Sequence, residues 1–364
     1  MENSIKINKH YYWIDLLRFT SAFLVMLVHF RGMFFVEYRL LPESNHNIII
    51  QIFYLFTRFG KEPVIVFFVL SGFLVGGKSI QQILNNDIHI KSYFIDRSVR
   101  IFLPLIASSL LLILIQLLIN SPIPFVDIVG SFFSVQGIFV STTHNPPLWS
   151  LSYEVWFYLM MGCIMTISIT KKGNSKSMFS FLILSLCMLV FMKLNPLYLF
   201  IWFMGAFAYL LPRENIAYKK IKIPLLIILL CVSFILSQSV SDSRSIKFVL
   251  VNFLDANNTS IFLAFITCLL IHHLITAAPQ KRFAKKIEKI GTKLADFSYS
   301  LYLTHYPLMS LLAYYGFPKS EQVNSRSVCL YIIELLIGLG TAYLIYLVSE
   351  KHTYKIKKML KNKS

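Results

Sequence analysis

Long apolar runs recur from one end of the 364-residue chain to the other. A helix needs about 20 such residues to cross a bilayer, and the chain supplies that length repeatedly. In lipid, only helices and closed barrels satisfy the backbone. A barrel would read as alternating segments of about ten residues, whereas these runs are continuous. With 56% hydrophobic residues and 14% charged, a soluble domain is excluded. The expected fold class is an all-α polytopic membrane protein.

Ten spans are predicted, at Tyr12–Phe35, Pro63–Gly77, Ile101–Asn120, Leu148–Thr170, Met178–Lys193, Leu197–Leu211, Ile223–Ser239, Ser260–Ala278, Phe297–Gly316 and Val328–Ser349. Ile48–Phe59 is too short to span and predicts an interfacial or re-entrant helix. Residues 1–349 form one transmembrane domain, and 350–364 form a basic tail. The net charge of +18 does not indicate nucleic acid. Lys and Arg concentrate in alternate loops, as the positive-inside rule requires, which puts both termini in the cytoplasm. The natural partners of those loops are anionic membrane lipids. The five cysteines are scattered through apolar runs with no Cys-x-x-Cys or Cys/His cluster, so neither a disulfide framework nor a metal site is indicated. The first apolar run, interrupted by Arg18 and with no cleavage site after it, is expected to be a retained helix.

Polar residues inside the spans point to function, because each costs about 3 kcal/mol or more at the helix centre. The first span carries Arg18 and His29. Eleven helical steps bring them back to the same face, about 16 Å apart along the axis. Glu154 lies about two turns into the fourth span, where a carboxylate needs a partner or a purpose. Arg97 and Arg100, ahead of the third span, share a helical face, and guanidinium forks suit phosphates; positive-inside anchoring accounts for them equally. Ser71-Gly72 in the second span fits close helix packing or a thin channel wall. In the ninth span Tyr299, Tyr302 and His305 share a face. His272-His273 meets a helix C-terminal dipole, and Glu350 suits a loop contact.

In order along the chain, Arg18-x10-His29, Phe68-x-x-Ser71-Gly72-Phe73, Arg97-x-x-Arg100 with Pro104, Trp149-Ser150-Leu151-x-x-Glu154 and Tyr302-x-x-His305-x-Pro307 together resemble the acyltransferase-3 family of bacterial membrane acyltransferases. The resemblance runs through nearly the whole chain. It implies a multi-pass protein of the bacterial cytoplasmic (inner) membrane. The activity it implies is transfer of an acyl group, usually acetyl from acetyl-CoA, to a glycan or polyprenyl-linked sugar, with no metal. Some members carry an additional esterase-like domain; none is expected here. Transfer is therefore direct or completed by a separate extracytoplasmic protein. Where many members have Glu, a basic residue and Pro after the last span, this chain has Glu350-Lys351-His352.

Topology sorts the candidates into two tiers. The inner one is Arg97, Arg100, Arg18, Ser71, Tyr302 and His305, for the CoA donor. The outer one is His29, as general base or nucleophile, with Glu154 at a similar level to orient His29 or the acceptor. A transporter of a small amphipathic molecule, with Arg, His and Glu as coupling groups, is the alternative.

Overall fold

The computed structural model describes residues 12–141, 143–170, 173–212, 219–241, 255–275, 290–317 and 319–362. Most of the predicted basic inner loop at 281–293, namely 281–289, and the end of the eighth span lie outside them. Every extended element among the described residues is a helix. Two helices precede the first break in the pattern, α1 (Tyr12–Phe34) and the nine-residue α2 (Ile48–Phe56). Next, α3 (Lys61–Ser71) runs through a π-helical stretch at Gly72–Gly77 into α4 (Lys78–Leu84). The chain continues as α5 (Ile90–Leu118), α6 (Phe125–Phe132), α7 (Trp149–Ile169), α8 (Ser175–Lys193) and α9 (Leu197–Leu210). It ends with α10 (Lys219–Ser241), α11 (Ala256–Leu274), a short helix α12 over 290–296, α13 (Ser298–Tyr314), α14 (Ser325–Val348) and α15 (Thr353–Asn362).

Among the described residues, eight helices are long and apolar enough to cross a membrane, against ten expected spans. The two that fall outside this group are α9, at 14 residues, and α13, at 17. Both are central. α9 packs on α3 and α11, and α13 packs on α1, α5 and α14. A helix shielded by other helices need not be apolar all round. Ser298, Ser300, Tyr302 and His305 are therefore accommodated in α13, where they are buried rather than presented to lipid. The belt that lipid would touch is apolar, with exposed Leu110, Leu114, Phe181, Leu189, Ile228 and Leu336 on α5, α8, α10 and α14.

The largest difference from expectation is at α5. It begins at Ile90, so Arg97 and Arg100 lie well inside a helix rather than in the segment leading to it. The reason is the tail. α15 docks on α5, and Lys361 Nζ reaches Asp96 Oδ2 at 2.8 Å. Asp96 on the first turns of α5 thus has partners in the tail and the helix continues through them.

The packing of α3 on α9 accounts for the small residues in both. A Cβ at Gly72 would stand 1.9 Å from the Trp202 carbonyl oxygen, and one at Gly205 would stand 2.2 Å from that of Val69. Only hydrogen fits at either position. This close crossing lets Trp202, fully buried, stack on Phe157 at 5.3 Å, with Phe157 stacked in turn on Phe191 at 5.4 Å. Aromatic burial of this kind anchors α3, α7, α8 and α9 as one block.

Candidate active site

α1 and α13 form a seam that carries polar groups at two levels. At the first level, Arg18 donates from Nε to Ser298 Oγ (3.1 Å) and from Nη2 to the Ala295 carbonyl (2.8 Å), with Asp15 at 3.7 Å. These bonds aim its guanidinium at the start of α13. Glu350 stands on the same helix end. Its Oε2 accepts from the Ser300 amide (2.9 Å) and the Ser300 hydroxyl (2.6 Å). A carboxylate at a helix N-terminus meets unpaired N–H groups and the positive end of the dipole. Glu350 is thus more than the expected loop contact: it caps α13 and lies within electrostatic reach of Arg18 and Arg100.

A cavity opens beside this level. Its walls include Arg18, Arg100, Ser71, Glu154, Tyr299 and Tyr302. One hydrogen-bonded line runs through it. Trp202 Nε1 donates to Ser71 Oγ (3.2 Å), Ser71 Oγ donates to the Tyr158 hydroxyl (3.3 Å), and Tyr158 donates to the Glu154 carboxylate. Ser71 therefore faces the cavity while Gly72 makes the helix contact, so the two readings of the Ser-Gly pair belong to adjacent residues. The Tyr302 hydroxyl donates to the Pro147 carbonyl, which leaves Ser150 as donor in the 2.7 Å Ser150–Tyr302 bond. The Tyr299 hydroxyl is buried in the cavity wall with no hydrogen-bond partner among the described residues.

Arg97 does not line this cavity. Its guanidinium stands over the Tyr158 ring, 5.6 Å from the centroid, and its buried Nε has no hydrogen-bond partner among the described residues. Lys357 and Lys361 of α15 approach the same region through Asp96, at 3.9 and 2.8 Å.

The second level is formed by His29 and His305. His29 Nδ1 and His305 Nε2 are 3.1 Å apart, and the rings stack at 5.1 Å. His305 Nδ1 lies 3.1 Å from the Leu301 carbonyl, and the Tyr306 ring packs edge-on against His29 at 5.8 Å. The carbonyl can only accept, so His305 Nδ1 carries a proton. Its Nε2 is then the acceptor in a neutral ring, and His29 Nδ1–H donates to it. With both rings neutral in these tautomers the lone pair that remains is on His29 Nε2, and the His29 ring also lies within hydrogen-bond reach of the Val25 carbonyl. His29 thus faces α13 and not lipid.

The sequence-derived tiers are regrouped. Glu154, expected at the level of His29, stands with the arginines. His305, expected among the donor-binding residues, is fully buried against His29. Arg18, Arg100, Ser71 and Tyr302 are brought together at one cavity. Glu350 and Tyr158 were not among the predicted site residues. Tyr158 had a local signal, standing one helical turn after Glu154. Glu350 had only the Glu-basic pattern after the last span to mark it and no local spacing, since its partner Ser300 is fifty residues away.

The sequence model of the acyltransferase domain family matches residues 11–347. No curated protein and no solved structure matches the chain. With a match over nearly its whole length, this many-helix membrane protein belongs to the acyltransferase-3 family and is an acyltransferase.

Proposed function

We propose that the protein transfers acetyl from acetyl-CoA to a hydroxyl of a cell-surface glycan or its lipid-linked precursor, with His29 as general base. The observation that supports this most is the ordered pair His29–His305. Its hydrogen bonds leave one free imidazole lone pair, on His29 Nε2. In this reading His29 Nε2 takes the proton of the acceptor hydroxyl as that oxygen attacks the thioester carbonyl. The carbon–sulfur bond then breaks and the proton passes to the departing CoA thiolate. Base catalysis of this kind contributes about 10²–10⁴ in rate. His305 touches no reacting atom and acts by positioning, holding His29 in one tautomer.

The charge balance divides the donor between two places. The cavity holds Arg18 and Arg100, but Glu154 is part of its wall and Glu350 lies within electrostatic reach. A wall with both signs suits the neutral, amide-bearing arm of the donor. The free Tyr299 hydroxyl and Ser71 are groups an amide would meet. Phosphates suit the region of Arg97, Lys357 and Lys361, where the two lysines share one carboxylate, Asp96. With the basic loops cytoplasmic, this end of the seam faces the donor pool and the histidine level lies deeper toward the acceptor side. The setting is the bacterial cytoplasmic membrane.

The test is purified protein in proteoliposomes with radiolabelled acetyl-CoA and a lipid-linked sugar. Label in the sugar, recovered as an alkali-labile ester, is the expected result. Label crossing the bilayer without product would replace the enzyme reading with the transporter one.

A further inference from the structure

The mechanism leaves one cation of α1 unused. Arg31 stands two residues beyond His29, in the last turn before the helix ends at Phe34. A charged residue in a membrane helix needs something to offset it. Here the chain supplies a ring and no anion. The guanidinium lies over the Tyr54 ring, 5.3 Å from its centroid. Its Nε is covered and has no hydrogen-bond partner among the described residues. The two Nη groups also lack one there, and they remain open to the outside. Glu37, a carboxylate within electrostatic reach, is paired with Arg39 at 2.6 Å instead. A second cation, Arg58, stands in the same reach, on the turn after α2.

The helix that carries Tyr54 has two apolar faces. Ile50 and Tyr54 turn into the protein, 6% and 7% exposed. Ile48, Ile49, Ile52, Leu55 and Phe56 turn outward and share an arc of about 120°. An open apolar face is ordinary in a membrane and names no occupant by itself. This one lies on the same nine-residue helix as the ring under Arg31. A neutral lipid would cover the face and leave the cation unpaired, and a small anion would do the reverse. A molecule with a phosphate head and a hydrocarbon tail meets both, because guanidinium forks suit phosphates. Two helical steps turn about 200° and rise about 3 Å, so Arg31 and His29 leave α1 on different sides at nearly one depth. A head group at Arg31 and a hydroxyl at His29 therefore belong to different parts of one acceptor.

We infer that Arg31 and the open face of α2 hold the acceptor by a polyprenyl phosphate anchor. The cation takes the phosphate and the apolar face takes the hydrocarbon chain. Of the two acceptors in the transfer reading, this selects the lipid-linked precursor. The inference rests on that reading for its role in the reaction but not for the binding itself.

Full-length protein in phosphatidylcholine nanodiscs, without acetyl-CoA, tests it. The discs carry a polyprenyl phosphate or the polyprenol of the same chain length, and retained lipid is read by native mass spectrometry. The wild type should retain the phosphate about tenfold more than the alcohol, the worth of one charge-assisted contact. Arg31→Gln should abolish this preference, and Arg31→Lys, which keeps the charge, should keep most of it. Because Arg31→Gln could disturb the end of α1, Ile49→Ser with Ile52→Ser provides a second variant. It leaves Arg31 in place and should lower retention of both lipids alike. Equal retention of phosphate and alcohol by the wild type overturns the site, as does an undiminished preference in Arg31→Gln. Displacement by phosphatidylglycerol at equal mole fraction also overturns it, since Arg31 would then be a contact for any head group. Acetyl transfer to the lipid-linked sugar, measured in parallel, reports on His29 separately. Arg31-dependent retention without any acetylated product would keep the anchor site and defeat the transfer reading.

Discussion

The arginine level and the histidine level share two helices and differ in nearly every physical respect. At the arginine level, guanidiniums, carboxylates and hydroxyls are linked by many bonds, and Arg18 alone reaches Ser298, Ala295 and Asp15. At the histidine level two neutral rings contact each other, the Tyr306 and Tyr302 rings and nearby backbone carbonyls, with no charged partner among the described residues. A charged network needs several partners to offset its desolvation. A base needs the opposite: one lone pair left without a partner and a ring held in a single orientation. The contrast teaches that the same seam can bind at one depth and react at another. At the first depth Arg18 and Glu350 are held by several partners, with the Tyr299 hydroxyl left over, and at the second an imidazole lone pair is unused.

The largest expected effect follows from the second level. His29→Ala should lower acetyl transfer about 10²–10⁴-fold with membrane insertion unchanged, measured as labelled glycan product. A variant at full rate would erase the distinction between the levels. The next effect divides the first level. Arg97→Ala should raise KM about tenfold or more for acetyl-CoA, the loss of one charge-assisted contact, yet leave acetyl-pantetheine unaffected. Arg18→Ala should weaken both donors. Equal losses on both donors for Arg97→Ala would mean that phosphates and arm are not read at separate places. Gly72→Ala addresses the frame that holds both levels. Its methyl would meet a backbone carbonyl at 1.9 Å, and overpacking costs about 1–3 kcal/mol, so detergent-solubilised protein should melt earlier. The smallest effect belongs to Trp202→Phe. It removes the bond to Ser71 while keeping an aromatic ring, and should cost about 1 kcal/mol in thermal stability.

Much of this was legible in the chain. The helices fall near their predicted places because apolar length alone defines them, and Arg18 and His29 do share the α1 face turned to α13. The α5 start was not legible, because the turns carrying Arg97 and Arg100 are held by α15, more than 250 residues later. The His29–His305 contact joins residues 276 apart, and no local spacing encodes it. Glu154 was assigned a depth by counting turns from a span end. The end was placed correctly, but depth along one helix does not say which neighbour a side chain meets. Arg100 and Tyr158 decide that.

The central claim is that His29 and His305 act as one unit. Its most direct measurement is the transfer rate of His29→Ala, His305→Ala and the double variant in the same proteoliposomes. If His305 works only by holding His29, the double variant is no slower than His29→Ala alone, since removing the positioner of an absent base changes nothing. Losses that multiply in the double variant would show two independent roles and contradict the pairing.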